Sequence, residues 1–113
     1  MSSPLKLNLI EGSIAFSFSP EAGRELQAAI AALINSLKLT ANKSPGTKVT
    51  PQPSMEYRHT GEVFVEMFCN PNIWPTPFAA KVLLTVRDDR IRLTTEAELT
   101  RIADDVSQYL EQS

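Results

Sequence analysis

The stretch "AKVLLTVRDDRIRLT", residues 80–94, leaves few folds open. Two apolar runs flank a pair of aspartates. With Asp88-Asp89 as a two-residue turn, Arg87 lies opposite Arg90, Val86 opposite Ile91, Thr85 opposite Arg92 and Leu84 opposite Leu93. Every apolar pair then falls on one face and every Arg and Thr on the other. That condition fixes a register when one face is buried. The stretch therefore predicts an antiparallel hairpin, which needs further strands or a helix to be stable.

Those further elements are present. "EVFVEMFC" alternates Val63, Val65, Met67 and Cys69 with Glu62, Phe64, Glu66 and Phe68, the period of a strand. Near the N-terminus, "LKLNLI" and "SIAFSFS" alternate around a tight turn at Glu11-Gly12 and predict a second hairpin. Between the hairpins, Ser19 is a good N-cap, Pro20 fits the first helical position and Glu21 suits the positive end of the dipole. Ala22, Leu26, Ala29, Ile30, Leu33 and Leu37 recur at helical spacing, so a helix is expected from about 20 to 38, with Gly23 a blemish near its start. "TEAELTRIADDVSQYLEQ" predicts a second helix, opened by a Thr95/Glu98 capping box and burying Leu99, Ile102, Ala103, Val106 and Leu110. Residues 39–61 lack periodicity and read as a long flexible loop, with room for an edge strand. The expected fold class is α+β: one domain over 1–113, a single mainly antiparallel sheet of about five strands in the order ββ-α-β-ββ-α, and two helices on one face. Its core should include Phe16, Phe18, Ile30, Leu33, Val65, Leu84, Val86, Ile91, Ile102 and Val106.

Composition narrows the function classes. Hydrophobic residues at 42% and charged residues at 21% are globular proportions. A net charge of −2 gives no electrostatic case for nucleic-acid binding. The lone cysteine excludes an intrachain disulfide and fits a reducing compartment. "MSSPLKLNLIEGS" has no apolar run of signal-peptide length, and "LQAAIAALI" is far short of a membrane span. A cytoplasmic location is expected, with peripheral association with a membrane-bound complex left open. One His and one Cys make a protein-only zinc site improbable. Four glycines and no G-x-x-x-x-G-K or G-x-G-x-x-G argue against a phosphate-cradling loop. Ten residues of strand between His59 and Cys69 would hold them about 30 Å apart. Glu62 and Glu66 share a strand face, where a surface pair beside Lys or Arg is commoner than a pair of catalytic acids. No catalytic residue, metal or cofactor is expected, and the chain reads as a non-enzyme.

What remains is surface. "CNPNIWPTP", residues 69–77, holds the only Cys, the only Trp and three of the eight prolines. Pro71, Pro75 and Pro77 stiffen the backbone, so presenting Ile73 and Trp74 to a partner would cost little entropy. The competing readings are that Trp74 folds back over the open end of the sheet, or that it anchors at a membrane surface. The sheet face away from the helices should carry Phe64, Phe68 and Leu83 among Glu62, Glu66, Arg87, Arg90 and Arg92. Such a face reads as an interface with a polar rim, or as simple cross-strand pairing. Arg87, Arg90 and Arg92 could instead hold an anion, although Asp88 and Asp89 weaken the local field. An RNA-binding sheet would stack bases on Phe64 and Phe68, against which the acidic total argues.

The C-terminal third, "KVLLTVRDDRIRLTTEAELTRIADDVSQYLEQ", resembles small cyanobacterial proteins, some of them thylakoid-associated. The resemblance rests on a hairpin followed by a capped helix and carries no functional residue with it. It implies an accessory factor in a photosynthetic cell. The leading expectation is a protein-binding adaptor or assembly factor using Phe64, Phe68, Ile73, Trp74 and Leu83, with a homodimer possible. The alternative is a small-ligand or anion-binding domain using Arg87, Arg90 and Arg92.

Overall fold

A computed structural model describes residues 4–41 and 50–112. Strands β1 (Pro4–Leu9) and β2 (Gly12–Ser17) form the first hairpin, with Leu5 opposite Phe16 and Leu7 opposite Ile14. The reversal sits at Ile10-Glu11, one residue earlier than expected, because Leu9 already pairs with Gly12. Gly12 closes the turn at φ 131°, a backbone conformation that side chains with a Cβ resist.

Helix α1 (Pro20–Ala41) starts where Ser19 predicts. The Ser19 hydroxyl accepts from the Ala22 N–H at 3.2 Å. It runs past Lys38 to Ala41, and the expected loop at 42–49 lies outside the described residues. Gly23 is no blemish. A Cβ there would come within 3.0 Å of Leu110 Cδ2 and 3.2 Å of the Tyr109 ring, so glycine permits the close crossing of the two helices.

The main sheet has four antiparallel strands in the order β3 (Met55–Thr60), β4 (Phe64–Cys69), β5 (Lys81–Arg87), β6 (Arg92–Glu98). Helix α2 (Leu99–Gln112) follows β6 directly. The fold is α+β with two helices, as expected, but it has six strands in two sheets and not five in one. The edge strand foreseen within 39–61 is β3. The first hairpin stays separate because α2 occupies the outer edge of β1. The Asp105 carboxylate accepts from the Asn8 backbone N–H at 2.7 Å and from its side-chain amide at 2.9 Å. Arg101 donates to the Leu9 carbonyl at 3.2 Å. These side chains engage one donor and one acceptor of that edge, which then offers no full ladder to another strand.

Two local expectations need correction. The β5–β6 register is shifted by two: Arg87 faces Arg92, Val86 faces Leu93, Thr85 faces Thr94 and Leu84 faces Thr95. Two-residue primed turns need positive φ at one or both central positions, and no described non-glycine residue has it. Asp88 instead closes a four-residue loop, its Oδ1 accepting from the N–H groups of Arg90 at 2.8 Å and Ile91 at 2.9 Å. These bonds hold its carboxyl below the usual range. Ile91 therefore leaves the core and is 64% exposed. The capping box is also absent, since Thr95 pairs with Leu84 inside β6 and the helix begins at Leu99.

One continuous core joins the parts. The inner sheet face supplies Val65, Met67, Val82, Leu84 and Val86. Against it lie Leu26, Ile30, Leu33 and Leu37 of α1, Leu99, Ile102 and Val106 of α2, and Leu5, Leu7, Phe16 and Phe18 of the hairpin. Tyr57 on β3 is buried there and donates to the Ala22 carbonyl at 3.3 Å. Burial first, and the nearby Glu25 charge second, push its hydroxyl from 10.0 to about 12. The folded state then binds a proton that the unfolded chain has released. Stability is intact below about pH 10 and falls as pH rises toward about 12. Tyr57→Phe should flatten this alkaline loss in denaturant titrations, leaving the parts due to the Tyr109 hydroxyl and the Cys69 thiol, which burial also raises. An unchanged pH profile in Tyr57→Phe would refute the assignment.

Candidate functional site

Because strand side chains alternate, the face of the main sheet away from the core is built from every second residue. Cross-strand pairing arranges them in rows. Glu56, Phe68, Leu83 and Glu96 form one row, from β3 to β6. Arg58, Glu66, Thr85 and Thr94 form the next, and Thr60, Phe64, Arg87 and Arg92 the third. This outer face is polar at its margins, with its exposed apolar side chains gathered at one point. There Phe68 and Leu83, 40% and 46% exposed, stand side by side on the two central strands. Two shallow depressions, of about 240 and 250 Å³, meet at this pair. Arg58 and Glu66 border one; Ile73, Trp74, Lys81 and Glu96 border the other.

The loop after β4 fixes Trp74 at that border. Asn70 is extended at φ −93° and caps the short 3-10 turn Pro71–Ile73, its side chain accepting from the Asn72 N–H at 3.0 Å. Pro71 sits at the first turn position, where no N–H is needed. Asn72 then pairs with the backbone of Gln52, accepting its N–H and donating to its carbonyl, both at 2.8 Å. Thr40 of α1 donates to the Pro71 carbonyl at 3.3 Å. The turn is thus clamped between the end of α1 and the segment entering β3. Trp74 packs half-buried against the core, with its indole beside Cys69. Burial pushes the Cys69 thiol up, and the nearby Trp74 indole partly offsets the rise.

Of the five residues expected to bind a partner, Phe68, Ile73, Trp74 and Leu83 line one depression. Phe64 lies in another row, half-buried, with the Arg87 guanidinium 4.3 Å from its ring centre. Of the three arginines, Arg87 and Arg92 are direct neighbours on the outer face, while Arg90 is in the loop at the hairpin tip. Neither Arg87 nor Arg92 has a carboxylate partner among the described residues. Glu62 precedes β4 and is exposed, whereas Glu66 is engaged by Arg58 at 2.6 Å.

His59 and Cys69 are nearer than expected, because β3 and β4 form a hairpin and His59 pairs with Val65. Four strand residues still separate their levels, about 14 Å, beyond hydrogen-bond reach. His59 packs edge-on to Phe18, with ring centres 5.1 Å apart. No group of three His, Cys, Asp or Glu among the described residues is placed to hold a metal. No described helix is long and apolar enough to cross a membrane.

Two features escaped the sequence reading. Phe78, 82% exposed, projects from the turn that follows Trp74. Asn72 has a positioning role legible only in the Asn-Pro-Asn spelling of a capped turn. Compared with family models, with curated proteins and with solved structures, the chain matches none.

Proposed function

We propose that this chain is a non-enzymatic protein-binding module, an adaptor or accessory factor, whose contact surface is the outer sheet face with the Trp74 loop at its border. The observation that carries this reading is the exposed Phe68–Leu83 pair, set between two depressions on the sheet face away from the core. Apolar side chains ringed by charges match the centre and rim of an interface. The depressions are shallow and apolar at their meeting point, which suits a protein surface better than a small ligand. The unneutralised Arg87–Arg92 pair would meet carboxylates on that partner.

Phe68→Ser/Leu83→Ser should weaken capture of proteins from host lysate at least tenfold, about 1.4 kcal/mol. Its melting temperature should change little, since both positions are solvent-facing. Equal capture by wild type and variant would overturn the reading. If inorganic phosphate raised the melting temperature of wild type but not of Arg87→Ala/Arg92→Ala, the hairpin would instead be an anion site.

A further inference from the structure

We infer that the partner this face fits is a second copy of the same chain, stacked face to face and turned end for end. The inference rests on the outer face being a protein-binding surface, and charge placement selects the occupant. At the hairpin end, Arg87 and Arg92 stand directly opposite each other with no carboxylate paired to either among the described residues. Like charges so placed destabilise a strand pair. At the other end, Glu56 and Glu96 flank Phe68 and Leu83, and they too lack a cationic partner among the described residues. Lys81 also stands at this end, opposite Glu98, and Asp88 and Asp89 lie beyond the arginines at the hairpin tip. On the three rows, the charges unpaired among the described residues are nevertheless cationic at one end and anionic at the other.

A two-fold axis running across the strands, along the row Arg58, Glu66, Thr85, Thr94, exchanges the two ends. Glu96 then lies over the partner's Arg92, Leu83 along the stem of the partner's Arg87, and Phe68 over the partner's Phe64. Symmetry makes each contact twice. The central row suits the axis. On the axis each residue meets its own copy: Thr85 and Thr94 are small and allow close approach, and Arg58 and Glu66, joined within each chain at 2.6 Å, present no net charge to their copies. An axis parallel to the strands would place Glu56 over the partner's Glu96, and repulsion disfavours it. Four strands of six residues span about 20 × 20 Å, roughly 400 Å² in plan. Standard interfaces bury about 800 Å² per partner, so the dimer should be weak, with a Kd on the order of micromolar. A face masked reversibly in this way stays available to other partners at low concentration.

Sedimentation equilibrium of the full chain from about 1 to 500 μM spans the Kd of such a dimer. The expected result is a reversible monomer–dimer equilibrium that weakens with salt. Arg92→Glu and Glu96→Arg should each weaken it at least tenfold. The two combined should restore it to within about threefold, because each reversed charge again meets its opposite across the axis. Within one chain these residues lie four strand positions apart, about 14 Å, too far for a direct ion pair, so rescue reads the contact between copies. A monomer at every concentration, or two damaging single variants without rescue, would overturn the inference. A monomeric wild type whose lysate partners are still lost on Phe68→Ser/Leu83→Ser would overturn the second copy alone and leave the binding face standing.

Discussion

Leu84→Ala should lower the unfolding free energy by about 2–5 kcal/mol, the range for truncating a fully buried leucine. Leu84 is 0% exposed on β5, a central strand between Met67 of β4 and Thr95 of β6. The helices on the inner face meet the sheet around it, so the cavity left behind has no easy way to collapse. Ile91→Ala is the control. Ile91 belongs to the same hairpin but is 64% exposed, and its loss should stay within about 0.5 kcal/mol. Urea titrations of both variants check the pair. A large cost for Ile91 would favour the two-residue register, and a cost below about 1 kcal/mol for Leu84 would take that side chain out of the core in either register.

That contrast also marks how far the sequence could be read. Alternation placed Leu84 and Val86 inward and Arg87 and Thr85 outward. A register shift of two residues leaves every side chain on its own face. Sidedness was therefore legible even though the turn was misread. The misreading has a local cause: Asp88 hydrogen-bonds two backbone N–H groups ahead of it and widens the loop. Ser19 and the stripe of α1 were plain because caps and periodicity act within a few residues. Long-range terms were not visible. Nothing in "LKLNLI" announces that Asp105, 97 residues from Asn8, will occupy the edge of β1 and split the sheet in two. Strand β3 was obscured because its outward residues, Glu56, Arg58 and Thr60, give it a loop-like composition. On the candidate site, Phe68 and Leu83 could be placed on one face from alternation alone. Their meeting with Ile73 and Trp74 could not, since it depends on Asn72 clamping Gln52.

Trp74→Ala should cost about 2–4 kcal/mol, somewhat less than a fully buried aromatic. The reason the only tryptophan stands in a proline-rich connection is now physical. Pro71 and the Asn70 cap fold the first half of the connection into a 3-10 turn. Trp74 then emerges extended, at φ −104° and ψ 136°, as the residue before Pro75 must. This backbone lays the indole over the end of the sheet, where it sits beside Cys69 and one side packs on the core. The other side borders the depression that holds Phe68 and Leu83. Trp74 thus works in both places, and its emission should report both. In the isolated chain it should be blue-shifted from the unfolded value yet partly open to acrylamide. Trp74→Phe should recover most of the stability, because it restores the apolar contact while losing the N–H. Fully red-shifted, freely quenched emission, together with a Trp74→Ala variant as stable as wild type, would detach Trp74 from the core. The loop would then be a docking element only, and the depression would lose a fixed wall.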